Sequence, residues 1–287
     1  MAIRAGFIGL GNIGKPMAQR LVQAGFETIV YDVRADARRE LTELGARAAE
    51  SCAAVAAASE VIGVCVRDDN DVRHVTLGPD GVIAHARPDA IIALHSTILP
   101  RTVQEIGRAA DARGIGLIDA PMTGAAAGAQ RGTLTYMVGG DPRLLERCRP
   151  VLAASAKQIV HCGELGSGAV TKLCNNLIGY MGFLAVFEAA LLATQSGRSL
   201  DPLIEVTRSN GYLSDATASF VRFRQTVEQQ RDDAALQTRV RNLTDLAEKD
   251  LAVTLAFARE QGVTLPGAAV CQQLMARVYG LRDDKRR

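Results

Sequence analysis

The segment Gly9-Leu10-Gly11-Asn12-Ile13-Gly14 decides the fold of this chain. An apolar run at 3–9 predicts a buried strand before it, and the run 15–22 predicts a helix with a proline in its first turn. Such glycines permit a tight turn, close approach of a pyrophosphate and close packing of helix on strand. The helix N-terminus offers free N–H groups to phosphates. The predicted dinucleotide contacts are Gly9, Gly11, Asn12, Ile13 and Gly14.

The second predicted strand, 27–31, ends at Asp32, which lies 18 residues after Gly14. A carboxylate at about this spacing can accept hydrogen bonds from both hydroxyls of an unphosphorylated ribose, and it repels a 2′-phosphate. Arg34 argues the other way, because an arginine there can bind a phosphate; the interpretation we prefer for it is a solvated loop charge. We therefore predict NAD as the cofactor, with NADP as the weaker alternative.

Strand and helix patterns alternate as far as residue 162, which predicts an α/β fold with a parallel, Rossmann-like doubly wound sheet. Ligands of such sheets bind outside the carboxyl ends of the strands. Besides the glycine turn and Asp32, the predicted strand ends are 66–70, 96–97 and 120–124. Val66 and Thr97 are accordingly predicted cofactor contacts.

Helical patterns alone continue after residue 163. We predict a dinucleotide-binding domain at 1–163 and an all-α substrate and dimerisation domain at 164–287, led by a long interdomain helix at about 168–195. Lys172, Asn175 and Asn176 would share one face of that helix, since they are spaced i, i+3 and i+4. The pattern alone leaves two interpretations about even: a functional cluster, or a lysine whose head reaches solvent.

The segment 119–140 is rich in glycine and alanine, and it holds Thr123-Gly124 just past a predicted strand end. Such a loop brings backbone N–H groups and a hydroxyl close to a small anion. The alternative is a plain connection into the strand predicted at 134–138. The position of Thr123-Gly124 favours the anion site.

Composition argues against several classes of function. Net charge is +2, aromatic residues make up 4% and tryptophan is absent, so a nucleic-acid surface is not indicated. The six cysteines form no C-x-x-C pair and the four histidines no H-x-x-x-H pair, so we expect no metal site. Glycines interrupt the N-terminal apolar run, and the apolar run 177–193 fits a buried domain helix. We expect a cytoplasmic protein without a membrane segment, and a disordered tail at 282–287.

Four blocks in order resemble the β-hydroxyacid dehydrogenases, the family that includes 3-hydroxyisobutyrate dehydrogenase and tartronate semialdehyde reductase and is related to 6-phosphogluconate dehydrogenase. The resemblance covers nearly the whole chain. Its blocks are 7–18, 119–124 with 128–129 and 132–134, 166–176, and Lys249-Asp250-Leu251.

The resemblance implies a role for each residue. Lys172 would be the general acid/base, and Asn176 would orient substrate and lysine with Asn175 beside it. Thr123 and Gly124 would hold a substrate carboxylate. Ser96 and Thr97 would lie near the nicotinamide ribose and ring, and Lys249 would reach cofactor and substrate. The family also suggests a homodimer or homotetramer.

The expected chemistry is hydride transfer between NAD(H) and a short-chain β-hydroxy acid or its semialdehyde. Of the histidines only His95 lies near these blocks, so Lys172 is the better candidate base. Burial and the positive nicotinamide ring would lower its pKa toward neutrality. Where the family usually has Ser-Gly-Gly, this chain has Thr123-Gly124-Ala125, which leaves the substrate open. The alternatives are an NADPH-dependent imine reductase and a non-catalytic dinucleotide-binding regulator.

Overall fold

The computed structural model describes residues 3–282, which form two compact units divided between Lys172 and Leu173. The first unit is a sheet covered by helices, and the second is entirely helical within the described range. The predicted α/β class, with a parallel-dominated sheet followed by helices, is confirmed. The tail prediction lies outside the described residues beyond Arg282.

The sheet of the first unit has nine strands. They are β1 (Arg4–Ile8), β2 (Glu27–Tyr31), β3 (Arg47–Ala48), β4 (Val61–Val64), β5 (Ile91–Leu94), β6 (Gly116–Asp119), β7 (Met122–Thr123), β8 (Leu134–Gly139) and β9 (Ala156–Gly163). Their order is β3-β2-β1-β4-β5-β6-β8-β7, with β9 beside β8. The first six of these are all parallel, in the order of a doubly wound dinucleotide-binding sheet. β8 runs antiparallel to β6 and β7.

Eight helices connect these strands. They are α1 (Gly14–Gln23), α2 (Ala35–Thr42), α3 (Cys52–Ala58), α4 (Asp69–Leu77), α5 (Val82–His85), α6 (Pro100–Asp111), α7 (Ala125–Arg131) and α8 (Pro142–Ala153).

The central strands are buried on both faces, as a parallel sheet between helix layers requires. Along β5, Ile91 and Ala93 belong to one apolar cluster, and Ile92 and Leu94 belong to the other. Successive side chains of a strand point to opposite faces, so the two clusters are the two sides of the sheet. Because both faces of these strands are buried, their sequences are nearly continuous apolar runs.

The second unit contains most of α9 (Ser167–Gln195), which packs with four further helices. These are α10 (Asp201–Ser209), α11 (Asp215–Gln229), α12 (Ala234–Glu260) and α13 (Pro266–Tyr279). Its core comes mainly from α11, α12 and α13, with half-buried aromatic side chains of α9 against it. By length and composition alone, α9 is the one helix among the described residues that could cross a membrane, and 6% of its most apolar window is buried.

The segment after Thr123 differs from the expected loop. Ala125–Arg131 forms α7, because its alanines favour a helix despite the glycines around them. Gly124 has φ of 121°, and Ala125 has φ of 54°, a left-handed conformation that residues with a Cβ adopt at a cost. The position where the resembling family has glycine therefore keeps a glycine-like backbone in this chain.

Asp119, the last residue of β6, fixes the start of α9. Its carboxylate is buried and accepts hydrogen bonds from the backbone N–H of Gly166 at 2.8 Å and of Ala169 at 2.6 Å. A Cβ on Gly139 or Gly168 would collide with atoms around this carboxylate. Burial raises the pKa of Asp119, and the backbone donors oppose that shift. The helix that carries Lys172 is thus anchored directly to the sheet.

Replacing Asp119 with alanine should destabilise the protein by about 3 kcal/mol, since two buried N–H donors lose a charged acceptor. The measurement is urea unfolding followed by circular dichroism. Asp141→Ala is the matched control, because Asp141 also caps a helix, α8, but is partly exposed. Its cost should be about 1 kcal/mol. Equal losses in the two variants would contradict the anchoring role of Asp119.

Candidate active site

The turn between β1 and α1 has the backbone that close approach of a phosphate requires. Gly9 has φ of 93°, and a Cβ there would collide with the backbone oxygen of Cys65. A Cβ on Gly14 would collide with the carbonyl of Gly9. At Gly11, by contrast, a Cβ would meet nothing within 4 Å, so the turn leaves open space beside the N-terminus of α1. The residues present fit a dinucleotide pyrophosphate.

Asp32 follows β2 with its carboxylate held in a fixed orientation. Oδ2 accepts from the N–H of Leu10 at 2.6 Å, and Oδ1 accepts from the N–H of Arg34 at 2.9 Å. Arg34 also folds back: its Nε lies 3.3 Å from Oδ1, and its Nη2 donates to the carbonyl of Leu10 at 2.9 Å. Arg34 is thus an exposed loop charge, as preferred in the sequence analysis, and it is also paired with the proposed ribose acid.

The ends of β4 and β5 are tied together by Ser96. Its hydroxyl accepts from the N–H of Val66 at 2.9 Å and donates to the carbonyl of Val66 at 2.8 Å. Both hydrogen bonds of the hydroxyl thus go to the backbone of Val66, and Ser96 supports the loop that follows β4. Thr97, the next residue, is half-buried, as is Val66. Val66 and Thr97 lie at neighbouring strand ends, as the sheet pattern predicts.

His95 is buried beside these strand ends and is poorly suited to act as a base. Its ring stacks on Phe7 with centroids 5.9 Å apart, and Nδ1 lies 2.8 Å from the carbonyl oxygen of Ala120. Burial lowers the pKa of His95 to about 4. The neutral ring is part of the core of the first unit.

Lys172 lies beside the predicted carboxylate loop within the first unit. It is half-buried in the first turns of α9, and its Nζ donates to the carbonyl of Met122 at 2.7 Å. Met122 precedes Thr123 in β7, which pairs with Thr135 of β8. The structure thus brings Lys172 next to Thr123-Gly124, although Lys172 and Met122 are 50 positions apart in sequence.

Asn176 belongs to the second unit and contacts Asp250, a residue to which the sequence analysis gave no role. Its Nδ2 donates to Oδ2 of Asp250 at 2.8 Å, and the hydroxyl of Tyr180 donates to the same oxygen at 3.1 Å. Asp250 is 3% exposed, and Lys249 Nζ lies 2.7 Å from its Oδ1. Asn175 is exposed and only weakly linked to Asn176, at 3.4 Å. Two signals in the sequence could have pointed to these residues. Asp250 belongs to the fourth sequence block, and Tyr180 lies one helical turn after Asn176.

Two family models match the chain. Residues 4–163 match the NAD binding domain of 6-phosphogluconate dehydrogenase, and residues 166–285 match the NAD-binding domain of NADP-dependent 3-hydroxyisobutyrate dehydrogenase. The glycine turn, Asp32 and the helical second unit together define an NAD-binding oxidoreductase.

Individual relatives narrow this class. The chain is 38% identical over 202 residues to an NAD-dependent L-serine dehydrogenase of Pseudomonas aeruginosa, covering 70% of this chain and 68% of that one. It is 32% identical over 287 residues to 2-(hydroxymethyl)glutarate dehydrogenase of Eubacterium barkeri, covering 99% and 92%. The chain belongs to the β-hydroxyacid dehydrogenase family, and its homologues support NAD as the cofactor.

Solved structures agree with this assignment. A 3-hydroxyisobutyrate dehydrogenase of Mycobacterium tuberculosis with L-serine superposes with a TM-score of 0.83 at 30% identity, covering 98% of this chain and 94% of the other. An imine reductase from a Pseudomonas species has a TM-score of 0.64 at 18% identity, covering 98% and 96%, and shows the shared fold alone.

Asp32→Ala should lower the preference for NAD over NADP, measured as the ratio of kcat/KM values, by about tenfold or more, since a ribose acceptor and a repulsive charge are lost together. Arg34 is then left without its carboxylate partner, which favours a 2′-phosphate further. The control is Asp36→Ala, at an exposed position in the first turn of α2. An unchanged ratio in Asp32→Ala would contradict the ribose role.

Proposed function

We propose that the protein transfers a hydride between NAD(H) and a short β-hydroxy acid, with Lys172 as the general acid/base. The observation that carries the proposal is the position of Lys172, whose Nζ is held 2.7 Å from the carbonyl that directly precedes Thr123-Gly124. A proton-transfer group and a candidate carboxylate-binding loop therefore adjoin each other within the first unit. As in the sequence analysis, we assign dinucleotide binding to 1–163 and substrate binding and dimerisation to 164–287.

The contact with Met122 orients the lysine for proton transfer. One N–H of Nζ is engaged by the carbonyl, so the lone pair of the neutral amine is directed away from it. In the oxidative direction this lone pair takes the proton of the substrate hydroxyl, and in the reductive direction the ammonium returns it. When bound, NAD supplies the hydride acceptor. From the family resemblance we keep Asn176 and Asn175 as candidate substrate-orienting residues and Lys249 as a candidate cofactor contact.

Thr123 and Gly124 would hold the substrate carboxylate through the hydroxyl and the backbone N–H groups. Asp32 would bind the adenosine ribose. The pyrophosphate would be bound by the glycine turn, which comprises Gly9, Gly11, Asn12, Ile13 and Gly14. Val66 and Thr97, at the ends of β4 and β5, would line the cofactor.

The relatives suggest the class of substrate. L-serine, 3-hydroxyisobutyrate and 2-(hydroxymethyl)glutarate all contain a 3-hydroxypropanoate unit and differ in the substituent on carbon 2. The Lys172 and Thr123-Gly124 pair would recognise the two ends of that shared unit, the hydroxyl and the carboxylate. We therefore propose 2-substituted 3-hydroxypropanoates as the substrates, with the semialdehydes as products.

Lys172→Met should reduce NAD-dependent oxidation of the best substrate by about 10³-fold or more, because the transition state loses its proton acceptor. The assay is NADH absorbance with the three hydroxy acids above, glycerate and 4-hydroxybutyrate. Binding of NADH, followed by its fluorescence, should change little. The matched control is Lys157→Met, at an exposed lysine of β9, which should retain full activity.

Substantial turnover by a cofactor-binding Lys172→Met protein would refute the role of the lysine. A wild type that oxidises none of the acids but consumes NADPH with a cyclic imine would favour the imine reductase alternative. A wild type that binds NADH and turns over neither class would favour a regulatory protein.

We also propose that a second copy of the chain covers the exposed part of α9. Beyond Asn176 no described residue of this helix is buried, and Ile178 and Leu192 are 75% and 72% exposed. Apolar surface of this extent on a helix is typical of an interface. The expected assembly is a homodimer or a homotetramer of such dimers.

The double variant Ile178→Asp/Leu192→Asp should shift the mass in solution toward a single chain, because a contact between copies would bury two new charges. The measurement is light scattering after gel filtration. Leu44→Asp, at an exposed position of the first unit, is the control and should keep the wild-type mass. A monomeric wild type, or recovery of the wild type in the membrane fraction, would contradict the proposal.

A further inference from the structure

The carboxylate of Asp250 is a shared acceptor at the centre of the second unit. Asp250 lies on α12 and is almost fully buried, whereas Asn176 and Tyr180 are one turn apart on α9. Both donate to the same oxygen, Oδ2, at 2.8 and 3.1 Å. The other oxygen, Oδ1, lies 2.7 Å from Nζ of Lys249. The two groups form an ion pair, but their geometry is not that of a hydrogen bond.

The carboxylate of Asp250 determines the orientation of the side-chain amide of Asn176. An ionised carboxylate only accepts, so it must face the Nδ2 group and not Oδ1. Oδ1 of Asn176 therefore points away from Asp250, where it can accept a hydrogen bond. The neighbouring Asn175 donates to it only at 3.4 Å, a weak contact.

Tyr180 is the second donor that holds the carboxylate in this rotamer. Burial and the negative charge of Asp250 both raise the pKa of Tyr180, so the phenol remains a donor at neutral pH. Its ring is fixed by an edge contact with Phe183, with centroids 6.4 Å apart. A rigid phenol thus limits the rotation of Asp250, and Asp250 in turn limits the rotation of the Asn176 amide.

We propose that Tyr180 is a positioning residue, which acts through Asp250 to keep Oδ1 of Asn176 available as an acceptor for the substrate hydroxyl. The inference rests on the proposed function for its consequence in turnover. The side-chain arrangement itself concerns only the second unit.

Tyr180→Phe removes the hydroxyl and leaves the ring. The variant should lower kcat by about tenfold, the effect of one hydrogen bond to a charged group, and leave the KM for NAD unchanged. Tyr279→Phe is the matched control. Like Tyr180, Tyr279 makes an edge contact with Phe183, but within residues 3–282 its hydroxyl makes no side-chain hydrogen bond. Its kcat should match the wild type.

A double-mutant cycle tests the route of the effect. In an Asn176→Ala background, Tyr180→Phe should have almost no further effect on kcat, because the group it positions is gone. Independent, multiplicative losses would overturn the proposal, and so would a Tyr180→Phe protein with the kcat of Tyr279→Phe.

A readout without turnover separates this inference from the proposed function. The side-chain NH₂ resonances of Asn176, assigned by comparison with Asn176→Ala, should shift in Tyr180→Phe and not in Tyr279→Phe. Unchanged resonances in Tyr180→Phe would overturn the positioning role even if the enzyme is active. Shifted resonances in a protein without dehydrogenase activity would support the positioning and refute only the proposed reaction.

Discussion

The buried contact of Asp119 with the N-terminus of α9 is the constraint on which the candidate site depends. β6 ends at this carboxylate, and the carboxylate binds the N–H groups of Gly166 and Ala169. Lys172 is one turn further along the helix, so its position is set by the sheet. The same sheet edge carries β7, whose carbonyl at Met122 receives the lysine. A single acid therefore fixes the register between the helix and the proposed carboxylate loop.

The two units contribute different chemistry. The first provides rigid backbone, with glycines where a Cβ would collide and a fixed carboxylate at Asp32. The second provides a small polar network around Asp250 beside an apolar core cluster. Buried polar groups are stable only when they are paired, so this network holds its members in defined orientations.

Much of the fold follows from the sequence because its signals are local. The glycine turn, the acid after β2 and the alternation of apolar strands with helices depend on neighbouring residues, and most of the observed elements match them. The helices α4 and α5, between β4 and β5, were not predicted. α7 was missed because alanine propensity outweighed the flanking glycines. The link between Asp250 and Asn176 was missed because it joins positions 74 apart in sequence, and no local pattern encodes such a contact. Likewise, the fold-back of Arg34 onto Asp32 depends on where Leu10 lies in space.

The left-handed Ala125 has a consequence for ligand binding. A residue with a Cβ costs about 1 kcal/mol or more in this conformation, whereas it has fewer conformations than glycine in the unfolded chain. The turn from Thr123 into α7 is therefore strained yet narrowly confined. Part of the conformational entropy that a flexible glycine segment would keep until it bound a ligand is already lost here when the protein folds. If this segment binds the substrate carboxylate as proposed, the alanine shifts a cost from recognition to folding and favours selectivity among substrates over adaptability to many.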